Sequence, residues 1–156
     1  MKVTLGHTGI VVQDFARMRD FYRRVIGLDE QRHVVREGPF ISGLVGLTNV
    51  RLEVVILGTA ERPSAIELLK YHRHPSAVVP KGPNGHGVNH VQFIVDDMDA
   101  AVARLQGEGL EFWGPVQPWP DSWRRCLYAK DPEGNVIEFN EPLPGAPAPD
   151  APHVAT

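Results

Sequence analysis

Residues 5–12 read as a short strand ending in the apolar run Ile10-Val11-Val12, and the pattern changes at Asp14 to a helical spacing that sets Phe15, Met18, Phe21, Tyr22, Val25 and Ile26 on one side. Asp14 is placed to cap that helix, since a short carboxylate can accept from the unpaired amides of a first turn, and Gly27 marks its end. Strand patterning returns at about residues 29–36, 50–57 and 65–71. Beyond a segment rich in Pro and Gly the same succession recurs. It runs through a strand over residues 88–95, a capping Asp97, a helix carrying Met98, Ala101, Val102 and Leu105, a stop at Gly109, and strands near 111–116, 124–129 and 136–141. Each half therefore reads βαβββ.

A shift of 83 residues lays His7 on His90 and Asp14 on Asp97, so independent segments agree on one offset and the chain is an internal duplication. The expected organisation is a first module over residues 1–71, a linker over 72–86, a second module over 87–141 and a Pro/Ala-rich tail over 142–156, all within one globular domain. The tail offers little to bury and is expected to be mobile or to drape over the surface.

Composition narrows the function without naming it. With 42% hydrophobic and 22% charged residues the 156-residue chain should fold as an ordinary globular protein, and a net charge of −3 gives no basic face for nucleic acid or anionic lipid. Cys126 is the only cysteine, which excludes an internal disulfide and a cysteine-rich zinc site. Strand patterning starts at once and no run of ~18 apolar residues occurs, so the expectation is a cytoplasmic protein without a membrane span.

The candidate chemistry lies in four residues that the duplication repeats in order. His7 and Glu67 fall on the first and last strands of one module, His90 and Glu138 on those of the other. Because side chains alternate across a strand, Thr8, Ile10 and Val12 should cover the helix while His7 points away from it, into the hollow of the sheet. The same parity sends Glu67, with Leu69 and Tyr71, and Glu138, with Asn140, to that side. A carboxylate there loses hydration and needs a cation, and two imidazoles with two carboxylates form a ligand set for one divalent ion. Mixed N and O donors suit zinc, nickel, cobalt, manganese or iron.

At these residues the chain resembles the vicinal oxygen chelate superfamily, which includes glyoxalase I, methylmalonyl-CoA epimerase, extradiol dioxygenases and drug-binding resistance proteins. The resemblance runs over residues 3–141. Its most specific segments are residues 14–28, with Phe21-Tyr22-Arg23-Arg24-Val25-Ile26-Gly27-Leu28, and residues 131–138, Asp131-Pro132-Glu133-Gly134-Asn135-Val136-Ile137-Glu138. It implies an α+β fold in which two tandem βαβββ modules form a curved eight-stranded mixed sheet around a metal held by His7, Glu67, His90 and Glu138. The implied reaction is that of an isomerase, epimerase or lyase acting on a small carbonyl or vicinal-oxygen substrate, with Glu67 or Glu138 as the base. It also implies a homodimer. The closest members are of the glyoxalase I and epimerase types, although the epimerases have glutamine at the Glu67 position and glyoxalase I has basic glutathione-binding residues with no clear counterpart here.

Two rival readings come with the resemblance. An extradiol dioxygenase would use two histidines and one glutamate on iron, with Tyr128 at its active-site tyrosine, but Glu67 would fill a position such enzymes leave free. A resistance or carrier protein would instead hold an aromatic drug under a lid built from Trp113, Trp119 and Trp123. Arg51, Arg124 and Arg125 are candidates to hold an anionic substrate. His33, His72, His74, His86 and His153 have no repeat partners and are expected in solvent, and residues 38–47 are expected to form a flexible loop or short helix over the cavity mouth.

Overall fold

The computed structural model describes residue 3, residues 5–77, residue 79, residues 82–119 and residues 123–146; the expectations for His153 and for the tail beyond residue 146 lie outside these. The described chain divides near residue 80 into two compact units. One carries the first repeat together with the turn Asp131–Gly134, and the other carries the remainder of the second repeat. Each unit holds one four-stranded mixed sheet, so the eight strands form two sheets in an α+β architecture.

In the first unit the elements are β1 (Thr8–Val11), α1 (Phe15–Asp20), a π-helical turn (Phe21–Val25), β2 (Asp29–Glu37), α2 (Pro39–Val45), β3 (Arg51–Gly58) and β4 (Ile66–Tyr71). The strand order is β1-β4-β3-β2, with β1 and β4 parallel and the other pairs antiparallel. β1 is shorter than the strand expected over residues 5–12, and His7 lies just ahead of it.

Asp14 caps α1 by accepting from the Arg17 amide at 3.0 Å. The single helix expected over residues 15–26 is instead widened at its end: the Ile26 amide donates to the Phe21 carbonyl at 3.1 Å, one residue further back than in an α-helix. The wider turn buries Phe21, Tyr22 and Val25 alongside Met18, and Gly27, at φ 93°, closes it. Beneath them Val55, Leu57, Ile66 and Leu68 make the sheet's buried face. The turn Asp131–Gly134 belongs to this core. Tyr22 donates its phenol proton to Asp131 Oδ2 at 3.0 Å, and the Gln13 and Asp14 amides donate to the Glu133 carboxylate.

Residues 38–47 form the short helix of the two alternatives. Pro39 begins α2, Gly46 ends it at φ 70°, and Ile41 is buried against Val50, Leu52 and Val54.

In the second unit β5 (His90–Ile94), α3 (Met98–Gly107), β6 (Gln117–Pro118), β7 (Arg124–Lys130) and β8 (Val136–Pro142) repeat the plan, with order β5-β8-β7-β6 and β5 parallel to β8. Asp97 caps α3 through the Ala100 amide at 2.9 Å. The Glu141 carboxylate holds the same helix end, accepting from the Met98 amide at 3.2 Å and from Arg125 Nε at 2.5 Å. The strand expected over residues 111–116 is not continuous: Phe112 bridges Ala129, then pairing lapses at Gly114-Pro115 and resumes only as β6. Proline has no amide to donate and glycine favours the break.

Candidate metal centre

The parallel pairing of β1 with β4 sets Gly9 opposite Glu67, and that of β5 with β8 sets Gln92 opposite Glu138. Gly9 has no side chain to crowd the acid beside it, and His7, two residues earlier, reaches across. His7 Nε2 stands 3.1 Å from Glu67 Oε2. In the other unit His90 Nε2 stands 3.0 Å from Glu138 Oε2. Two ligands with bonds of about 2.1 Å at about a right angle on one ion lie about 3 Å apart, so each pair has the spacing of neighbouring metal ligands as well as that of a hydrogen bond. Within each unit the constellation is a pair; among the described residues no group of three or more His, Cys, Asp or Glu side chains is arranged to hold a metal.

The two acids differ in surroundings. Glu67 has a side chain 21% exposed and lines a cavity of about 500 Å³ between α2 and the sheet face of β2, β3 and β4. Glu138 is 6% exposed and accepts from the Tyr128 phenol at 3.2 Å, while the Tyr128 ring meets His90 edge-on at 5.2 Å between centroids. Burial first, then the nearby Glu138 charge, raises the Tyr128 phenol above its ordinary value, so it stays a proton donor. Asn140, on the same side of β8, donates to Cys126 Sγ at 3.1 Å and keeps a buried Oδ1 that has no hydrogen-bond partner among the described residues. Burial likewise raises the Cys126 thiol, which is therefore a poor nucleophile.

Of the residues read as substrate contacts, Tyr128 joins the His90–Glu138 pair, whereas the tryptophans are each occupied locally. Trp113 lies under Lys130 Nζ at 4.7 Å, Trp119 donates its indole N–H to Cys126 Sγ, and the Trp123 ring packs against Gly145. Arg124 lies on β7, its carbonyl accepting from the Trp119 amide. The other arginines considered serve structure: Arg51 pairs with Glu37, and Arg125 with Glu141 and Asp99.

His33 and His72, expected in solvent, each stand 2.8 Å from Glu53, and His74 contacts the Thr48 carbonyl at 2.7 Å. Burial alone would raise the Glu53 carboxyl, but the bonds from the two imidazoles outweigh it and hold Glu53 below its ordinary value. No helix among the described residues is long and apolar enough to cross a membrane.

Comparison with known proteins agrees with this arrangement of strands. Residues 4–139 match the family model described as Glyoxalase/Bleomycin resistance protein/Dioxygenase superfamily. The chain is 27% identical over 135 residues to the uncharacterized protein YaeR of Escherichia coli (strain K12), covering 86% of this chain and 93% of that protein. It is 29% identical over 152 residues to a lactoylglutathione lyase of Pseudomonas aeruginosa, covering 86% and 80%. A solved glyoxalase family protein from Bacillus cereus superposes with a TM-score of 0.84 at 26% identity, over 92% of this chain and 96% of that one.

Proposed function

Because the chain belongs to the Glyoxalase/Bleomycin resistance protein/Dioxygenase superfamily, we propose that it is a divalent-metal enzyme of the glyoxalase I type. On this reading it is an isomerase or lyase that moves a proton at the carbon beside a carbonyl in a small substrate. His7, Glu67, His90 and Glu138 are the ligands of one ion, drawn from zinc, nickel, cobalt, manganese or iron. The observation that carries the reading is the replication of one pair: the same residue types, on equivalent parallel strands, at 3.1 Å in one unit and 3.0 Å in the other. A chance histidine–glutamate contact has no reason to recur at the duplicate position.

The donor set fits such an ion. Glu138 is a buried carboxylate that, among the described residues, accepts from a phenol and stands beside an imidazole, and a cation would make good the hydration it has lost. A divalent ion held by these residues would supply Lewis acidity to a substrate carbonyl oxygen. The two glutamates divide the remaining work. Glu138 is enclosed and held by Tyr128, so it positions. Glu67 faces the cavity, so its carboxylate takes the proton from the substrate carbon and returns it. The lactoylglutathione lyase relative supports this class of reaction. We further propose a homodimer acting in the cytoplasm.

The test is metal analysis of protein purified without chelator. One ion per chain is expected, with Glu67→Gln and Glu138→Gln each lowering affinity by about tenfold or more, since each removes one charged ligand of the same ion. Two ions per chain, with each substitution abolishing one, would mean two separate sites. Unchanged affinity in Glu67→Gln would remove it from the ligand set and favour the dioxygenase reading, for which Tyr128 against His90 and Glu138 is suited. Oxygen uptake with catechols distinguishes that outcome.

A further inference from the structure

The cavity beside Glu67 has a wall that the proposed reaction does not use. Its side chains are chiefly apolar, among them Val34, Ile41, Leu44, Val54, Ile56 and Leu69, and its charged members are Glu67, Arg32 and Arg36. The sheet register orders them in rows. Arg32 opposes Ile56, which opposes Glu67; Arg36 opposes Leu52, which opposes Tyr71. With strands about 4.8 Å apart, the Arg32 and Glu67 backbones are about 10 Å from each other across the cavity floor.

Arg32 reaches this face through a bulge. Between Glu30 and Arg32 the pairing with β3 slips, leaving Gln31 as an extra residue. In an unbroken strand Glu30 and Arg32 would share a side. Instead Glu30 faces α1, where Arg19 holds it at 2.7 and 2.8 Å, and Arg32 turns to the cavity. Arg19 and Arg23 pair with Glu30, and Arg51 and Arg73 with Glu37, but among the described residues neither Arg32 nor Arg36 has an acid partner. Arginines on an edge strand also discourage strand pairing, but that service needs no particular face, and here the bulge fixes one.

From this geometry we infer that Arg32 is the anion receptor of the cavity, and that the substrate is a small acid with an apolar body, its charged end at Arg32 and its reacting end at Glu67. A guanidinium against an apolar wall favours a carboxylate or phosphate that can bond it in a fork, and the row Arg32–Ile56–Glu67 leaves an apolar span between the two ends. The assignment of the reacting end rests on the role given to Glu67 above; the anion site does not. Arg36, a row removed from Glu67, is the lesser contributor.

The experiment compares 3-phenylpropanoate with its neutral amide, 3-phenylpropanamide, by calorimetric titration of the full chain. The acid is expected to bind about tenfold more tightly than the amide, and Arg32→Gln should remove that advantage while leaving amide binding unchanged. Phe40, on α2, also lines the apolar wall, and Phe40→Ala should weaken both ligands alike. Equal binding of acid and amide, equal weakening of both by Arg32→Gln, or binding of neither would overturn the inference. The metal affinity of Glu67→Gln, measured separately, reports on the catalytic reading, so each can fail without the other.

Discussion

Glu67 and Glu138 hold equivalent positions in two sheets, and what separates them is the company each keeps. Parity along a strand was enough to set Glu67 on the face of β4 opposite Ile66 and Leu68, because side-chain alternation is a rigid property of an extended backbone. The surroundings of the acids were not legible: the Tyr128 phenol on Glu138, or His33 and His72 on Glu53, depends on strand register that no local pattern reveals. Acids paired in this way govern acid stability. Glu141 is held below its ordinary value by its bond from Arg125, against the opposing effect of burial. A lowered carboxyl stabilises the fold above its unfolded value, and the benefit disappears as pH falls through the folded one. Glu141→Gln is therefore expected to cost about 2 kcal/mol near neutral pH, with the gap to the parent narrowing as pH drops below about 4. Denaturant melts at a series of pH values check this; a gap unchanged at low pH would deny the linkage.

The order βαβββ, stated twice, could be read from alternation, caps and glycine stops, since each is a local consequence of backbone sterics. Three departures could not. The π-helical turn shifts one hydrogen bond while keeping the apolar side chains inward, so the apolar spacing looks like that of an ordinary helix. In the second unit the lapse at Gly114-Pro115 interrupts the strand expected over residues 111–116, and pairing resumes only at β6. The bulge at Gln31 lies in Asp29-Glu30-Gln31-Arg32-His33, a polar run with no alternation in which a slip would show. Its register makes a specific demand. Deleting Gln31 makes the ladder regular and leaves Glu30 and Arg32 on their present faces, so the protein should melt within a few degrees of the parent. Deleting Val35 from the regular stretch throws the residues beyond it onto the wrong sides, and that variant should lose the cooperative transition. Thermal unfolding of the two deletions decides it; similar losses in both would mean that the bulge is not where the slip is absorbed.

At the scale of the whole chain, duplication and family were legible because they rest on order and spacing, which survive when individual residues change. The place of one turn was not, because it follows contacts rather than sequence. The first unit includes Asp131–Gly134, a turn encoded well beyond the linker, which receives the Tyr22 phenol and the Gln13 and Asp14 amides. A gene fragment stopping at the linker would thus encode a complete sheet yet lack the carboxylates that receive its helix entry and its largest buried ring. Expressed alone, such a fragment should be insoluble or fail to melt cooperatively, and supplying the remainder of the chain as a separate polypeptide should rescue it. Because that turn sits in the core of the first unit although the second repeat encodes it, the linker is not a point at which the chain can be cut into two self-sufficient pieces.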